Sequence, residues 1–272
     1  MQYRLNKKQI NQVCKRYKSG ESSLVLSKEF GISPVAICGL LERRNIPRRP
    51  QYLARRKCYF DENVFDTITP EVAYWIGFIF ADGSIFEQKG KSPIVALALS
   101  DKDGEHVTKF KNFFKSSHKI INVRYNDYKH STGKRFAINS RHLAERLKYF
   151  GWNGKLMSIA QPELAFSPHF WRGVIDGDGW IGITKSNYPR LELVGGYPLL
   201  SQFAKYTHNI VPEWKGHIRP HKSIFVISFG GKMASKIIYL LYHNAPVALD
   251  RKYNASLNIL ALGMQSLSAP AG

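Results

Sequence analysis

The sequence predicts an α+β protein in which one folding unit is used twice, preceded by a small all-helical module. Three observations predict this. Two segments share a pattern, Trp75-Ile-Gly-Phe-Ile-Phe-Ala-Asp-Gly83 and Trp171-Arg-Gly-Val-Ile-Asp-Gly-Asp-Gly179. Each follows a helix-start signal, Thr69-Pro70-Glu71 or Ser167-Pro168-His169, in which an N-cap residue precedes proline at the first helical position. Each also leads into a similar series of elements that ends in a lysine, 73 residues on from Asp82 to Lys155 and 74 from Asp178 to Lys252.

Before the first unit, residues 6–18 have Ile10, Val13, Cys14 and Tyr17 at core spacing for an amphipathic helix, stopped by Ser19-Gly20. Residues 22–30 predict a second short helix, with Leu24, Val25 and Leu26 available for burial. Gly31-Ile32-Ser33-Pro34 supplies a turn, an apolar plug, an N-cap and a starting proline for a third helix over 35–45. Residues 1–46 form this module and 47–65 a basic linker. The first repeat, 66–160, reads as its motif helix, a strand over 94–100, a helix over 105–114, strands over 120–125 and 136–139, and a helix over 141–149. The second, 161–262, reads as its motif helix, a strand over 190–194, a helix over 198–208, strands over 217–220 and 224–229, and a helix over 232–242, leaving 263–272 as a tail.

The two motifs carry the chemistry. Small residues four apart (Gly77/Ala81, Gly173/Gly177) lie on one helix face and let two backbones approach closely. Packed side by side, the helices bring Asp82 and Asp178 together at one end. Adjacent carboxylates repel unless a cation sits between them, which suits Mg²⁺ held for phosphodiester chemistry. No Walker phosphate loop, His-Glu-x-x-His or Gly-x-Ser-x-Gly motif offers a rival apparatus.

The paired segments resemble the motifs of the LAGLIDADG homing endonucleases in their single-chain, two-motif form, over about residues 66–260. The resemblance implies two pseudo-symmetric αββαββα repeats with saddle-shaped antiparallel sheets behind a helix-turn-helix domain. It makes Asp82 and Asp178 the carboxylates that bind Mg²⁺ or Mn²⁺, with the carbonyls of Ala81 and Gly177 facing the metal. Lys155 and Lys252 match the basic residue supporting each active site. The first Asp of the motif stands as Asp176 in the second copy and is replaced by Phe80 in the first. That position is not a metal ligand in the family.

Composition agrees with a polyanionic partner. Lys plus Arg number 40 against 20 acidic residues, a net +20, and residues 1–60 hold 14 of the bases and 3 of the acids. The module resembles the helix-turn-helix of resolvases and transposases. Candidate DNA contacts there are Arg43 and Arg44, and, in the arm that follows, Arg48, Arg49, Arg55, Arg56 and Lys57. The sheets are expected to curve over the major groove. Arg124, Tyr125, Lys134 and Arg135 of the first, and Lys185, Asn187, Arg190, Arg219, His221 and Lys222 of the second, are the expected base-reading residues. The partner this implies is double-stranded DNA with a long asymmetric site, cut by a monomer.

A non-cleaving DNA-binding regulator and an RNA-splicing maturase are the alternative functions. No apolar run reaches the ~18–20 residues of a membrane span. With no signal peptide at Met1 and three cysteines lacking Cys-x-x-Cys spacing, the expectation is an intracellular protein with reduced thiols.

Overall fold

The protein is described here by a computed structural model, which covers residues 5–49, 58–125 and 131–268. The chain divides into two compact units, Met1–Cys58 and Tyr59–Gly272.

The first unit is three helices, α1 (Lys7–Lys18), α2 (Ser23–Phe30) and α3 (Pro34–Arg43). Each start is capped by a side chain, with Asn6 accepting from the Gln9 amide, Ser22 from Val25 and Ser33 from Ala36. Gly31, in the left-handed region at φ 65°, ends α2 and turns the chain by 107° into α3, within the range of a helix-turn-helix. Val13, Tyr17, Leu26, Ile37, Leu40, Leu41 and Ile46 form its core. Of the three α2 residues expected to be buried, only Leu26 is. Leu24 and Val25 are 56% and 50% exposed, since an eight-residue helix against two neighbours buries one narrow face.

Arg16 of α1 closes the unit by pairing with both Glu21 and Glu29. Arg49 folds back over the Tyr17 ring, 4.4 Å from its centre, and donates to the carbonyls of Gly20 and Glu21. It therefore ties down the end of this unit, and its guanidinium is not the free DNA contact the sequence suggested. Arg43, Arg44 and Arg48 are exposed, whereas Arg55, Arg56 and Lys57 lie outside the described residues.

The second unit holds the repeated fold. The first repeat runs α4 (Pro70–Asp82), β1 (Gly83–Phe86), β2 (Ile94–Ser100), α5 (Gly104–Phe113), β3 (Ile121–Arg124), β4 (Thr132–Asn139) and α6 (Arg141–Tyr149). Two short helices follow, α7 (Gly154–Met157) and α8 (Pro162–Ala165). The second repeat runs α9 (Pro168–Asp178), β5 (Gly179–Ile183), β6 (Pro189–Gly195), α10 (Tyr197–His208), β7 (Arg219–His221), β8 (Ile224–Gly230) and α11 (Gly231–Tyr242). Helix α12 (Asp250–Ser268) closes the chain and runs through most of the stretch expected as a tail.

The sheets are four-stranded and antiparallel, with orders β1-β2-β4-β3 and β5-β6-β8-β7. β1 and β5, missing from the element-by-element reading, begin at the glycine of each motif. Gly83 and Gly179 are extended, so the chain passes from helix straight into strand. A Cβ there would stand 2.7 Å from the carbonyl oxygen of Ile79 or Ile175, which is why Asp-Gly ends both helices.

One core spans both repeats, from Trp75, Phe78, Phe110 and Phe136 to Trp171, Phe203, Phe229 and Ile238. Phe60 and Phe65, within the stretch read as linker, belong to it. No single helix among the described residues is long and apolar enough to cross a membrane. Cys14, Cys38 and Cys58 are free thiols.

Candidate active site

The motif helices α4 and α9 lie against each other because both lack side chains where they cross. A Cβ on Gly77 would fall 2.1 Å from the Phe170 carbonyl oxygen, and one on Gly173 would fall 2.0 Å from that of Tyr74. At the far end a Cβ on Gly177 would meet the Ala81 methyl at 2.3 Å and approach Asp82 Oδ2 at 3.4 Å. The small-residue spacing thus delivers the packing expected of it, and Asp82 and Asp178 arrive at the same end.

A cation already lies between the two carboxylates. Lys155 Nζ is 2.8 Å from Asp178 Oδ1 and 3.9 Å from Asp82 Oδ1. Burial pushes the Asp178 carboxyl up to about 6 and raises Asp82 as well, while the lysine pulls both back toward ionisation. Lys155 stands on α7, at the end of the first repeat, yet its nearer partner is the aspartate of the second.

Lys252, its counterpart by spacing, does something else. It is 3% exposed, and its three N–H groups go to the carbonyls of Ile175, Asp176 and Gly179. The first two lie in the last turn of α9, where Ile175 also accepts from the Gly179 amide, and the third opens β5, so Lys252 caps the end of this helix with a positive charge. Burial lowers it to about 8. The Gly177 carbonyl is not among its acceptors. Beside it, Arg251 pairs with Asp103 at 2.9 Å, and Asp250 with Lys109 at 2.5 Å. The first turn of α12 therefore joins both repeats next to the carboxylate pair.

Asp176 is 1% exposed and accepts hydrogen bonds from Tyr74 Oη, Tyr242 Oη and the Leu249 amide at 2.6–2.8 Å. Arg172, one turn earlier, donates to the carbonyls of Leu241 and Val247. Together they hold the 241–249 segment that leads into α12. In the first repeat the equivalent of Asp176, Phe80, packs edge-on against Phe170 at 5.3 Å. Neither residue reaches the carboxylate pair.

The strand registers sort the expected DNA-facing residues. Leu99 pairs with Lys134 and Ala98 with Arg135, so the two basic neighbours point to opposite faces. Arg135 shares the outward face with Ala96, Ala98, Ile121 and Ala137. Lys134 lies on the core side, its stem against Gly104, and Arg124, opposite Thr132, has the same parity as Lys134. The alternation of the strand corrects the assignment of Lys134, while Arg124 stays exposed on the edge strand β3.

In the second sheet Arg190 and Arg219 are outward, while Lys185 and Lys222 occupy exposed turns. This face also carries residues that the sequence reading passed over. Glu192 accepts from Arg190 at 2.6 Å and from Ser228 at 3.0 Å, Arg219 donates to Ser228 at 3.3 Å, and Trp180 stands opposite Glu192, 45% exposed. Its signal was the alternation Arg190-Leu-Glu192-Leu193, which puts both charges on one face.

Lys155→Ala and Lys252→Ala should therefore separate. The first removes the cation shared by the two carboxylates from a half-exposed position and should lower the melting temperature only modestly at neutral pH, an effect that fades toward pH 4, while slowing any cleavage on the order of 10²–10³-fold. The second strips a buried helix end of its donors and should lower the melting temperature in a thermal scan. Equal effects of both on stability would contradict this division.

No family model and no curated protein matches the sequence. Solved structures do. The homing endonuclease I-WcaI bound to its DNA recognition sequence superposes with a TM-score of 0.52 at 14% identity, covering 78% of this chain and 97% of that one. The protein has the LAGLIDADG homing-endonuclease fold. The LAGLIDADG endonuclease I-GzeII in complex with its DNA target is similar over 75% of this chain and 94% of its own, with a TM-score of 0.48 at 12% identity.

Proposed function

We propose that the protein is a site-specific double-strand DNA endonuclease that uses Mg²⁺ or Mn²⁺ and works as a monomer on a long asymmetric site. The observation that carries this reading is the pair of partly buried aspartates, Asp82 and Asp178, sharing one ammonium at the crossing of two helices. Two carboxylates with raised proton affinity call for a cation. Lys155 supplies one, from a side chain that is about half exposed.

The donor set fits Mg²⁺. Among the described residues no group of three or more His, Cys, Asp or Glu could form an all-protein cage. Mg²⁺ commonly takes one or two carboxylates and completes its shell with water and substrate phosphate. Asp82 and Asp178 would hold it, with the carbonyls of Ala81 and Gly177 beside them. When bound, such ions supply charge neutralisation at the scissile phosphate and acidify a water molecule.

The remaining work belongs to the chain. Asp82 and Asp178 fix two reaction centres at the crossing, one for each DNA strand. Lys155, released from Asp178, can turn its charge to a phosphate oxygen as negative charge builds there. Lys252 holds the end of α9 rigid while its neighbours Arg251 and Asp250 bind the first repeat. The outward faces of the sheets, with Arg135 on one and Arg190, Glu192 and Arg219 on the other, present side chains of the kind that pair with base edges.

The test is selection from a pool of randomised duplexes with the full chain, comparing Mg²⁺ with EDTA. Recovery of one extended, non-palindromic sequence cut on both strands only with Mg²⁺ is expected. Specific binding without cleavage in either condition would leave a DNA-binding regulator. Preference for structured intron RNA over any duplex in competition would favour the splicing role instead.

A further inference from the structure

The N-terminal unit keeps one helix face open, and its chemistry is specific. α3 buries Ile37, Leu40 and Leu41, and on its other side Val35 is 80% exposed. Gly39 is open as well, since a Cβ there would meet only the Arg43 guanidinium, at 3.9 Å. Val35, Gly39 and Arg43 are spaced by four and share this face.

The helix is set at 107° to α2, its first turn is capped by Ser33, and it is the second helix of the turn. In such motifs the N-terminal residues of the second helix meet base edges in the major groove. Two of the three acids in residues 1–60, Glu21 and Glu29, are bound to Arg16, leaving an excess of positive charge for a polyanion. An apolar group at such a position has one partner among the base edges, the thymine 5-methyl.

We propose that this face is a second DNA-reading surface, separate from the two sheets, in which Val35 contacts thymine methyl groups in a flanking major groove. Gly39 lets the helix backbone come close to the DNA, and Arg43 anchors the far end on a phosphate. The proposal rests on the DNA-binding reading of the chain but not on cleavage.

The test uses the full chain and a duplex recovered by selection, with hydroxyl-radical footprinting to locate the flank that residues 5–49 protect. Replacing dT by dU in that flank alone should weaken binding roughly 3–4-fold for each methyl contacted, the value of one buried CH₂. Val35→Ala should bind dT and dU flanks alike. Gly39→Ala should raise the melting temperature, because alanine favours the helix, while weakening binding to flank-containing DNA. A merely structural role for this face would not give opposite signs.

A flank footprint with no dU effect and no change in Val35→Ala would overturn thymine reading. A footprint confined to the sheets' half-sites would overturn DNA binding by this unit and leave the nuclease reading standing. Failure of the chain to select any duplex would instead defeat the reading on which both rest.

Discussion

Asp178→Asn is expected to abolish double-strand cleavage, keep specific DNA binding, and make the folded protein more stable at neutral pH. On the proposed reading, the first two effects follow from removing a carboxylate that would hold the metal and touch no base. The third follows from its environment. Burial raises the folded carboxyl from 3.8 to about 6, whereas the unfolded chain ionises near the lower value. Between those values folding takes up a proton, so this group's contribution to stability falls as pH rises and stays unfavourable above 6. At 1.36 kcal/mol per unit the penalty is on the order of 2–3 kcal/mol. The variant lacks it. Without added metal its melting temperature should exceed that of the unsubstituted chain at pH 7, and the gap should close toward pH 4. Asp82→Asn should match it in direction, since burial raises that carboxyl as well. Full cleavage by either variant would defeat the site assignment, and a lower melting temperature at pH 7 would defeat the electrostatic account.

Gly173→Ala should be strongly damaging to both stability and activity. The added carbon would lie 2.0 Å from the Tyr74 carbonyl oxygen and 2.7 Å from the Phe78 nitrogen, both backbone atoms that no rotamer change can move. The helices must part, and with them the core around Trp75 and Trp171. Overpacking typically costs 1–3 kcal/mol, and the rigidity here argues for about 3 kcal/mol or more. Gly77→Ala, aimed at the Phe170 carbonyl at 2.1 Å, should behave likewise. Because Asp82 and Asp178 ride on these helices, any folded remainder should cut slowly although both carboxylates are present. Denaturant titration beside a cleavage assay checks this, and an unchanged midpoint for Gly173→Ala would show that the helices do not cross where described.

Much of this was legible in the sequence because it is written locally. Thr69-Pro70 and Ser167-Pro168 start the motif helices, and the small residues that let them meet are four apart in each. Both aspartates could be placed from that alone. The strands β1 and β5 were missed because each is only four or five residues long, begins inside a motif, and includes glycine. The helices α7 and α8 have four residues each, too few to show a period. Lys134 and Arg135 were assigned together to one face, which adjacent strand residues cannot share.

The two lysines show a deeper limit. Their spacing from the aspartates differs by one residue, yet Lys155 is half exposed and Lys252 is enclosed by α12 and the end of α9. Burial depends on what the rest of the chain brings nearby. Sequence distance does not contain it. Arg49 was misjudged for the same reason, since nothing local links it to Tyr17.

The two sheets, alike in topology, have become unlike on their outward faces. Among the described residues, one carries Ser84, Phe86, Asn139 and several alanines around Arg135, and the other a connected row of Arg190, Glu192, Ser228 and Arg219. On the proposed reading, such a protein has a direction. A duplex offered in reverse would set the charged row over bases suited to the plain one, so an inverted site is a different word, not a synonym. A substitution in one sheet then edits one half of the message and leaves the other as it was. In a symmetric dimer every change is made twice, whereas here recognition can drift a half-site at a time, with the crossing helices held constant beneath it.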